Sequence, residues 1–381
     1  MAPKSTKINS LNCPIVSINV HIWHFWSYIY RHDFRRYIGI VLGLLLNAFM
    51  FADLFMSGAD FEQMIVNAFF AVLGFDVILR PISVVYTRDK FEQFLEKVSF
   101  KYKEMEKIED HVVLGIISRL TKRARTLSIG NLAVSCTTAV CLIISPLFSS
   151  NRRMLFSMYI PGVNVSASPQ YEILYALQAF WMCPACGMYV PFTNLFMSAT
   201  IFGVIQMKTL QHQLTTLKDT VKNKDGKNLH NTVNRIIETH LRIKDYVFEL
   251  NSLVTFICFF EFMTFGVLLC SLLFLLNTTA NKSQVLVIVP YSVTIVTQVF
   301  AFYWHANEVR EESIKIAEAA YNGPWMDKEE SIKKKLLLVS LSAQRPLELT
   351  LGNVFPMTLE MFQSLMNASY SYCTLLRRFN N

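Results

Sequence analysis

Seven stretches of this chain are long and apolar enough to cross a hydrocarbon core of about 30 Å. They lie at about 37–57, 61–83, 126–149, within 173–207, 250–276, 283–305 and 353–376 of 381 residues. Composition agrees: charged residues make up 17%, against roughly 25% in soluble proteins. Apolar residues reach 52% and Phe alone numbers 30. That excludes a disordered chain, a disulfide scaffold and a coiled coil, and argues against an ordinary soluble enzyme. The expected fold class is an all-α membrane protein with seven transmembrane helices. The run 173–207 holds no charge over 35 residues. As one helix it would be about 52 Å long. It must tilt, break near Pro184 or Pro191, or project from the membrane.

Basic residues decide the orientation. Of the 36 Lys and Arg, 31 fall before span 1 or in the loops 80–125, 208–244 and 310–345. The positive-inside rule then places the N-terminus in the cytoplasm and the C-terminus outside, opposite to a G-protein-coupled receptor. The net charge of +8 is thereby assigned to cytoplasmic loops rather than to nucleic acid. Sequons at Asn164, Asn277 and Asn281 all fall in loops on the outer side, which makes them glycosylation candidates. A fourth, Asn367, lies inside span 7.

The expected organisation follows. Residues 1–36 form a cytoplasmic or interfacial N-terminal segment, in which HIWHFWSYIYRHDFRR reads as an interfacial helix. Residues 37–207 hold spans 1–4 and 208–249 form inner helices. Residues 250–305 hold spans 5–6, 306–350 return to the cytoplasm, and 351–381 hold span 7.

No Gly-rich phosphate loop, nucleophile elbow or metal-ligand cluster is visible, and no cofactor is expected. Cys183 and Cys186 have C-x-x-C spacing but sit in an apolar span, where packing is the better explanation. His21 and His24 read the same way. Asp53, Asp76, Arg80 and Glu261 are ionisable residues inside spans; structural pairing suits such scattered groups, and Asp76 and Arg80 are spaced to pair on one helix face. In span 7, Glu360, Gln363, Ser364, Asn367, Ser371 and Thr374 form one stripe on a 3.6-residue period. Such a stripe faces either other helices or water. Presented by several subunits to a common axis, it would line a pore.

The C-terminal third carries Tyr321 and Trp325, then Gln344-Arg345-Pro346, Gly352-x-x-Phe355-Pro356, Leu359-Glu360-x-Phe362 and Ser369-Tyr-Ser-Tyr372. This resembles the C-terminal signature of insect odorant receptors. CPIVSINVHIWHFWSY, IPGVNV, CPACGMYVPFT and FAFYWHANEV are similar to the mosquito branch associated with indole and phenol odorants. The resemblance implies a tuning subunit of a ligand-gated, non-selective cation channel in the plasma membrane of olfactory dendrites. Such a subunit forms a heterotetramer with the co-receptor Orco through a cytoplasmic anchor domain. It also implies that span 7 lines the pore, with a hydrophobic gate at Leu375 and Phe379.

The family's odorant site lies in the outer half, between spans 2, 3, 4 and 6. Candidate lining residues there are Phe69, Phe70, Leu73, Ile143, Leu147, Tyr175, Phe180, Trp181, Met188 and Tyr291. The rival plan is a gustatory-type channel, which would need no co-receptor.

Overall fold

The structure, a computed structural model, describes residues 11–31, 33–56, 58, 61–144, 146, 154–217, 226–278, 282–323, 325–326 and 328–380, apart from the side chains of 62, 226–228, 277–278, 282–288, 290–291 and 376–380. In chain order the helices are α1 (Ser17–Phe25), α2 (Arg35–Met56), α3 (Phe61–Tyr86), α4 (Arg88–Glu106), α5 (His111–Ile144), α6 (Gln170–Thr215), α7 (Gly226–Thr278), α8 (Lys282–Asn322), α9 (Glu330–Ala343) and α10 (Leu359–Asn380). A short hairpin of β1 (Thr350–Leu351) and β2 (Phe355–Pro356) precedes α10. The seven apolar windows fall on α2, α3, α5, α6, α7, α8 and α10. The first five each carry a stretch long and apolar enough to span a membrane unaided. In α10 the polar stripe dilutes the apolar face.

The charge-free run resolves by projection. Helix α6 is continuous through 46 residues, with Pro184 and Pro191 inside it. At 1.5 Å per residue it is about 69 Å long, far beyond the bilayer core. It is also the central element: 94% of its most apolar stretch is buried within the chain, against 17% for α5, so α5 is the peripheral span. Helix α2 approaches α6 closely at Gly43, where an added Cβ would come within 2.9 Å of Trp181 Nε1. Small residues at such contacts let helices associate where lipid is as apolar as their side chains.

The N-terminal helix starts earlier and ends earlier than the stretch 21–36 expected of it. Helix α1 is only nine residues long and buries Asn19, Val20 and Trp23. Asn19 donates to Ser128 at 3.3 Å and accepts from Asn194 at 3.1 Å. Asn194 in turn accepts from Asn131 at 2.8 Å. This amide network ties α1 to α5 and α6, because a buried amide must find partners.

The inner extensions form a helical base. Helix α9 buries Ile332, Leu336 and Val339 against α7 and α8. Ion pairs join the inner ends: Arg123 to Glu308 at 2.6 Å, Lys208 to Glu312 at 2.9 Å and Arg310 to Glu348 at 2.8 Å. Against the cost of its burial, His305 and Arg123 hold the Glu308 carboxyl down at about 2. That contribution is full above the ordinary carboxylate range, declines as pH falls below it and is gone once pH has fallen through about 2.

The hairpin explains the Gly-x-x-Phe-Pro element. Gly352 and Asn353 both have positive φ, near +60°, and the Val354 amide donates to the Leu351 carbonyl at 3.1 Å. Two positive φ values in succession make a primed turn. The turn is bolted to α7: Asn251 accepts from the Thr350 amide at 2.8 Å, and Thr255 Oγ1 accepts from the Asn353 amide at 3.1 Å. A Cβ at Gly352 would lie 3.1 Å from the Phe259 ring. Gly352→Val should therefore cost at least about 1–2 kcal/mol from backbone conformation alone. The expected readout is a lower melting temperature of the detergent-extracted receptor, with Gly352→Ala milder; equal melting of the Gly352→Val variant and the wild-type protein would contradict it.

Candidate functional site

A cavity of about 100 Å³ lies between α3, α5, α6 and α8. Each helix contributes one face at helical spacing. Helix α3 supplies Phe70, Leu73, Gly74 and Val77; α5 supplies Ser135, Thr138, Ala139 and Leu142. Helix α6 supplies Trp181, Met182, Ala185, Cys186, Tyr189 and Val190; α8 supplies Thr294, Ile295 and Gln298. Met50 of α2 completes the wall. On the outer side Phe156 meets Phe70 with ring centroids 5.3 Å apart. Gln178 holds Phe156 in place, donating to its carbonyl at 2.8 Å and accepting from its amide at 3.3 Å.

The inner side of the cavity ends on buried charge. The Tyr189 ring lies 3.6 Å from the Arg80 guanidinium, a cation–π contact. Arg80 also donates to the Tyr189 carbonyl at 2.8 Å and to Thr193 at 2.7 Å. Its ion-pair partner is Glu261 of α7, not the neighbouring Asp76 that helix spacing suggested. Asp76 instead accepts from Thr264 at 3.3 Å. The reason is geometric: Arg80 reaches across the bundle, and a cation buried among three helices needs acceptors from each. Asp53 is likewise paired, accepting from Asn67 at 2.6 Å.

The expected odorant residues divide by position. Phe70, Leu73 and Trp181 line the cavity. Phe69 packs behind it, edge-on to Phe70. Met188 is buried against α2 near Gly39. Tyr175 donates its hydroxyl to the Ile143 carbonyl, so these two meet each other at the outer end of the bundle and not on the cavity wall. Phe180 is 62% exposed on the opposite face of α6. Leu147 and the side chain of Tyr291 lie outside the described residues.

The additional wall residues include several small or polar ones: Ser135, Thr138, Ala139, Ala185, Cys186 and Thr294. Selecting by ring size passes over them, whereas the spacing of Ser135, Thr138 and Ala139 at i, i+3 and i+4 within α5 is a usable signal. The placement gives a contrast. Phe180→Ala should leave odorant potency within about two-fold of wild type, as expected of a surface side chain. Phe156→Ala, which opens one end of the cavity, should lower potency by roughly ten-fold or more. Dose–response curves of ligand-evoked current check both, and a larger loss from Phe180→Ala than from Phe156→Ala would contradict the placement.

On α10 the six stripe residues Glu360, Gln363, Ser364, Asn367, Ser371 and Thr374 are all exposed. Leu375 is exposed beside them, while Leu365, Ser369 and Cys373 form the buried face. The stripe thus faces away from the chain's own helices. Phe379's side chain lies outside the described residues. Asn164 is exposed, Asn277's side chain is not described, and Asn281 lies outside the described residues.

Seven spans define a polytopic membrane protein, and a largely apolar cavity between four of them has the character of a small-molecule site. Comparison with known proteins agrees. Residues 60–370 match the family model described as 7tm Odorant receptor. The chain is 52% identical to Odorant receptor 10 of Aedes albopictus, covering 97% of this chain and 99% of that one. It is 42% identical to Odorant receptor Or2 of Anopheles gambiae, over 97% and 99% of the two chains. Its fold is similar to the solved olfactory receptor OR5 of Machilis hrabei in complex with eugenol, with a TM-score of 0.80 and 17% identity over 99% and 98%. The chain belongs to the insect odorant receptor family. It is a membrane receptor, and its family is not one of enzymes.

Proposed function

We propose that this chain is the tuning subunit of a ligand-gated, non-selective cation channel formed with the co-receptor Orco as a heterotetramer. The ligand is a small aromatic volatile of the indole or phenol class. The observation that carries this is the cavity itself, walled by Phe70, Phe156, Trp181 and Tyr189 and set between four spans. Aromatic walls suit an aromatic ligand, whose few polar atoms leave affinity to burial and ring contacts. The solved Machilis relative holds eugenol, itself a phenol. About ten heavy atoms at ordinary ligand efficiency correspond to roughly micromolar binding.

The size of the cavity suggests how binding does work. An apolar cavity of about 150 Å³ accommodates benzene. At about 100 Å³ this one is tighter, so we take a widened state to be the one that receives a ring. A ligand that binds the widened state better shifts the population toward it, and that difference in affinity is the whole driving force. Because α8 packs on α10 through the Phe300–Phe362 ring contact at 5.5 Å, a shift of α8 would reach the pore helix.

The stripe from Glu360 to Thr374 then faces the ion path, with Leu375 and Phe379 as the gate. Lipid is the costlier partner: Ser364, Ser371 and Thr374 donate to carbonyls of their own helix, but Glu360, Gln363 and Asn367 would face hydrocarbon without a polar partner. The inner ends of α6, α7 and α8 with α9, within 208–249 and 306–350, form the anchor that joins subunits. Asn164, Asn277 and Asn281 are outer glycosylation sites, and the receptor resides in the plasma membrane of olfactory dendrites.

Whole-cell current during pulses of indoles and cresols tests this, in cells expressing the chain with and without the co-receptor. Fast cation current only in co-expressing cells is the expected result. Current from the chain alone would instead mark a self-sufficient channel of the gustatory kind.

A further inference from the structure

The cavity wall carries several polar side chains, and nearly all are already engaged. Thr138 donates to the Val134 carbonyl at 2.9 Å and lies 3.2 Å from Thr294. Gln298 reaches Asn131 at 3.5 Å. Trp181 Nε1 points away, donating to the Gly39 carbonyl at 3.3 Å. Ser135 is different. It is 8% exposed, it lines the cavity, and its Oγ has no hydrogen-bond partner. Among the described wall residues it is the buried polar side-chain atom left unpaired. Buried hydroxyls without partners are rare and call for an explanation.

From this geometry we infer that Ser135 is the polar anchor of the odorant pocket, and that the preferred ligand is a compact aromatic carrying one hydrogen-bond donor, an N–H or O–H. The donor preference comes from the hydroxyl's position on a helix. A serine hydroxyl in a helix can donate to the carbonyl four residues back, here that of Asn131. A ligand that donates to Oγ leaves the serine proton free for that carbonyl, so both bonds form and each polarises the other. A ligand that only accepts takes the serine proton and leaves Oγ without a donor. A ligand with no polar atom leaves the Oγ lone pairs without a donor, as they are in the empty cavity. The pocket therefore discriminates by a polar atom that the shape of the apolar walls cannot sense. This assignment presupposes the odorant pocket proposed above.

The test uses ligands of matched shape and two variants, each co-expressed with the co-receptor. Indole and indene differ at one ring position, N–H against CH₂; p-cresol and p-xylene differ at one substituent, hydroxyl against methyl. In the wild-type receptor indole should be about five- to ten-fold more potent than indene, the worth of one neutral hydrogen bond. Ser135→Ala should erase that ratio by weakening indole while leaving indene equal or slightly improved. The cresol–xylene ratio should collapse in the same way. Surface expression and current from a co-receptor agonist confirm that the variant folds and assembles.

Ala139→Leu, which fills the same cavity, separates the two possible failures. Unchanged ligand ratios in the Ser135→Ala variant, with all odorant responses lost in the Ala139→Leu variant, would overturn the role of Ser135 and leave the pocket standing. Unchanged odorant responses in the Ala139→Leu variant would overturn the pocket and the assignment with it. No current from indole or p-cresol, with agonist current intact, would overturn the ligand class.

Discussion

Arg80→Met should destabilise the receptor by about 3–5 kcal/mol, because it leaves the Glu261 carboxylate buried without its cation. The loss should exceed that of Glu261→Met. Asp76 interacts electrostatically with both partners, so removing the arginine strands two carboxylates, whereas removing Glu261 leaves Arg80 with Asp76, Thr193 and the Tyr189 carbonyl. The double variant Arg80→Met/Glu261→Met should recover much of the loss, since a buried ion pair replaced by apolar groups of similar volume is often neutral. Melting of the detergent-extracted complex, followed by fluorescence-detected gel filtration, reads all three. Strictly additive costs in the double variant would show that the two charges do not stabilise each other. The same cycle has a functional side. Arg80 stacks on Tyr189, whose side chain lines the cavity, so the double variant should fold yet respond less to odorant.

The second large effect concerns the cavity alone. Ala139→Leu adds three carbon atoms to a space of about 100 Å³. The result should be a loss of odorant potency of roughly 10- to 200-fold, equivalent to about 1–3 kcal/mol of overpacking. Ala139 sits on α5, the peripheral span, so the substitution perturbs the pocket without displacing the central helix. Current evoked through the co-receptor by its own agonist should be unchanged. A parallel loss of both currents would mean that the variant fails to fold or assemble rather than to bind odorant.

Much of this architecture was legible in the chain itself. The stripe on α10 is an instance: six polar residues on a 3.6-residue period had to share a face, whatever the helix packed against. What the period could not say was which surroundings that face would meet. Only the packing of Leu365, Ser369 and Cys373 onto the bundle turned the stripe outward. Arg80 makes the same point at closer range. Its i, i+4 spacing from Asp76 was visible, but its partner Glu261 lies 181 residues away in sequence and on another helix.

The pocket was the least legible part. Sequence singled out large rings in the outer half, and Phe70, Leu73 and Trp181 do line the cavity. Yet Phe180, one residue from Trp181, points away from it, because one step along a helix turns a side chain by about 100°. Ser135, Ala139 and Ala185 carried no signal by size or charge; a cavity exists where side chains are small, and its emptiness belongs to the space between helices.

Local chemistry therefore determined the number of spans, their direction in the membrane and the polar face of α10. Hydrophobic length and charge asymmetry act residue by residue against a solvent of fixed thickness. The rotation of each helix about its axis, the partner of each buried charge and the position of the void were decided only by tertiary structure. They depend on how separate helices fit together, and no single segment contains that information.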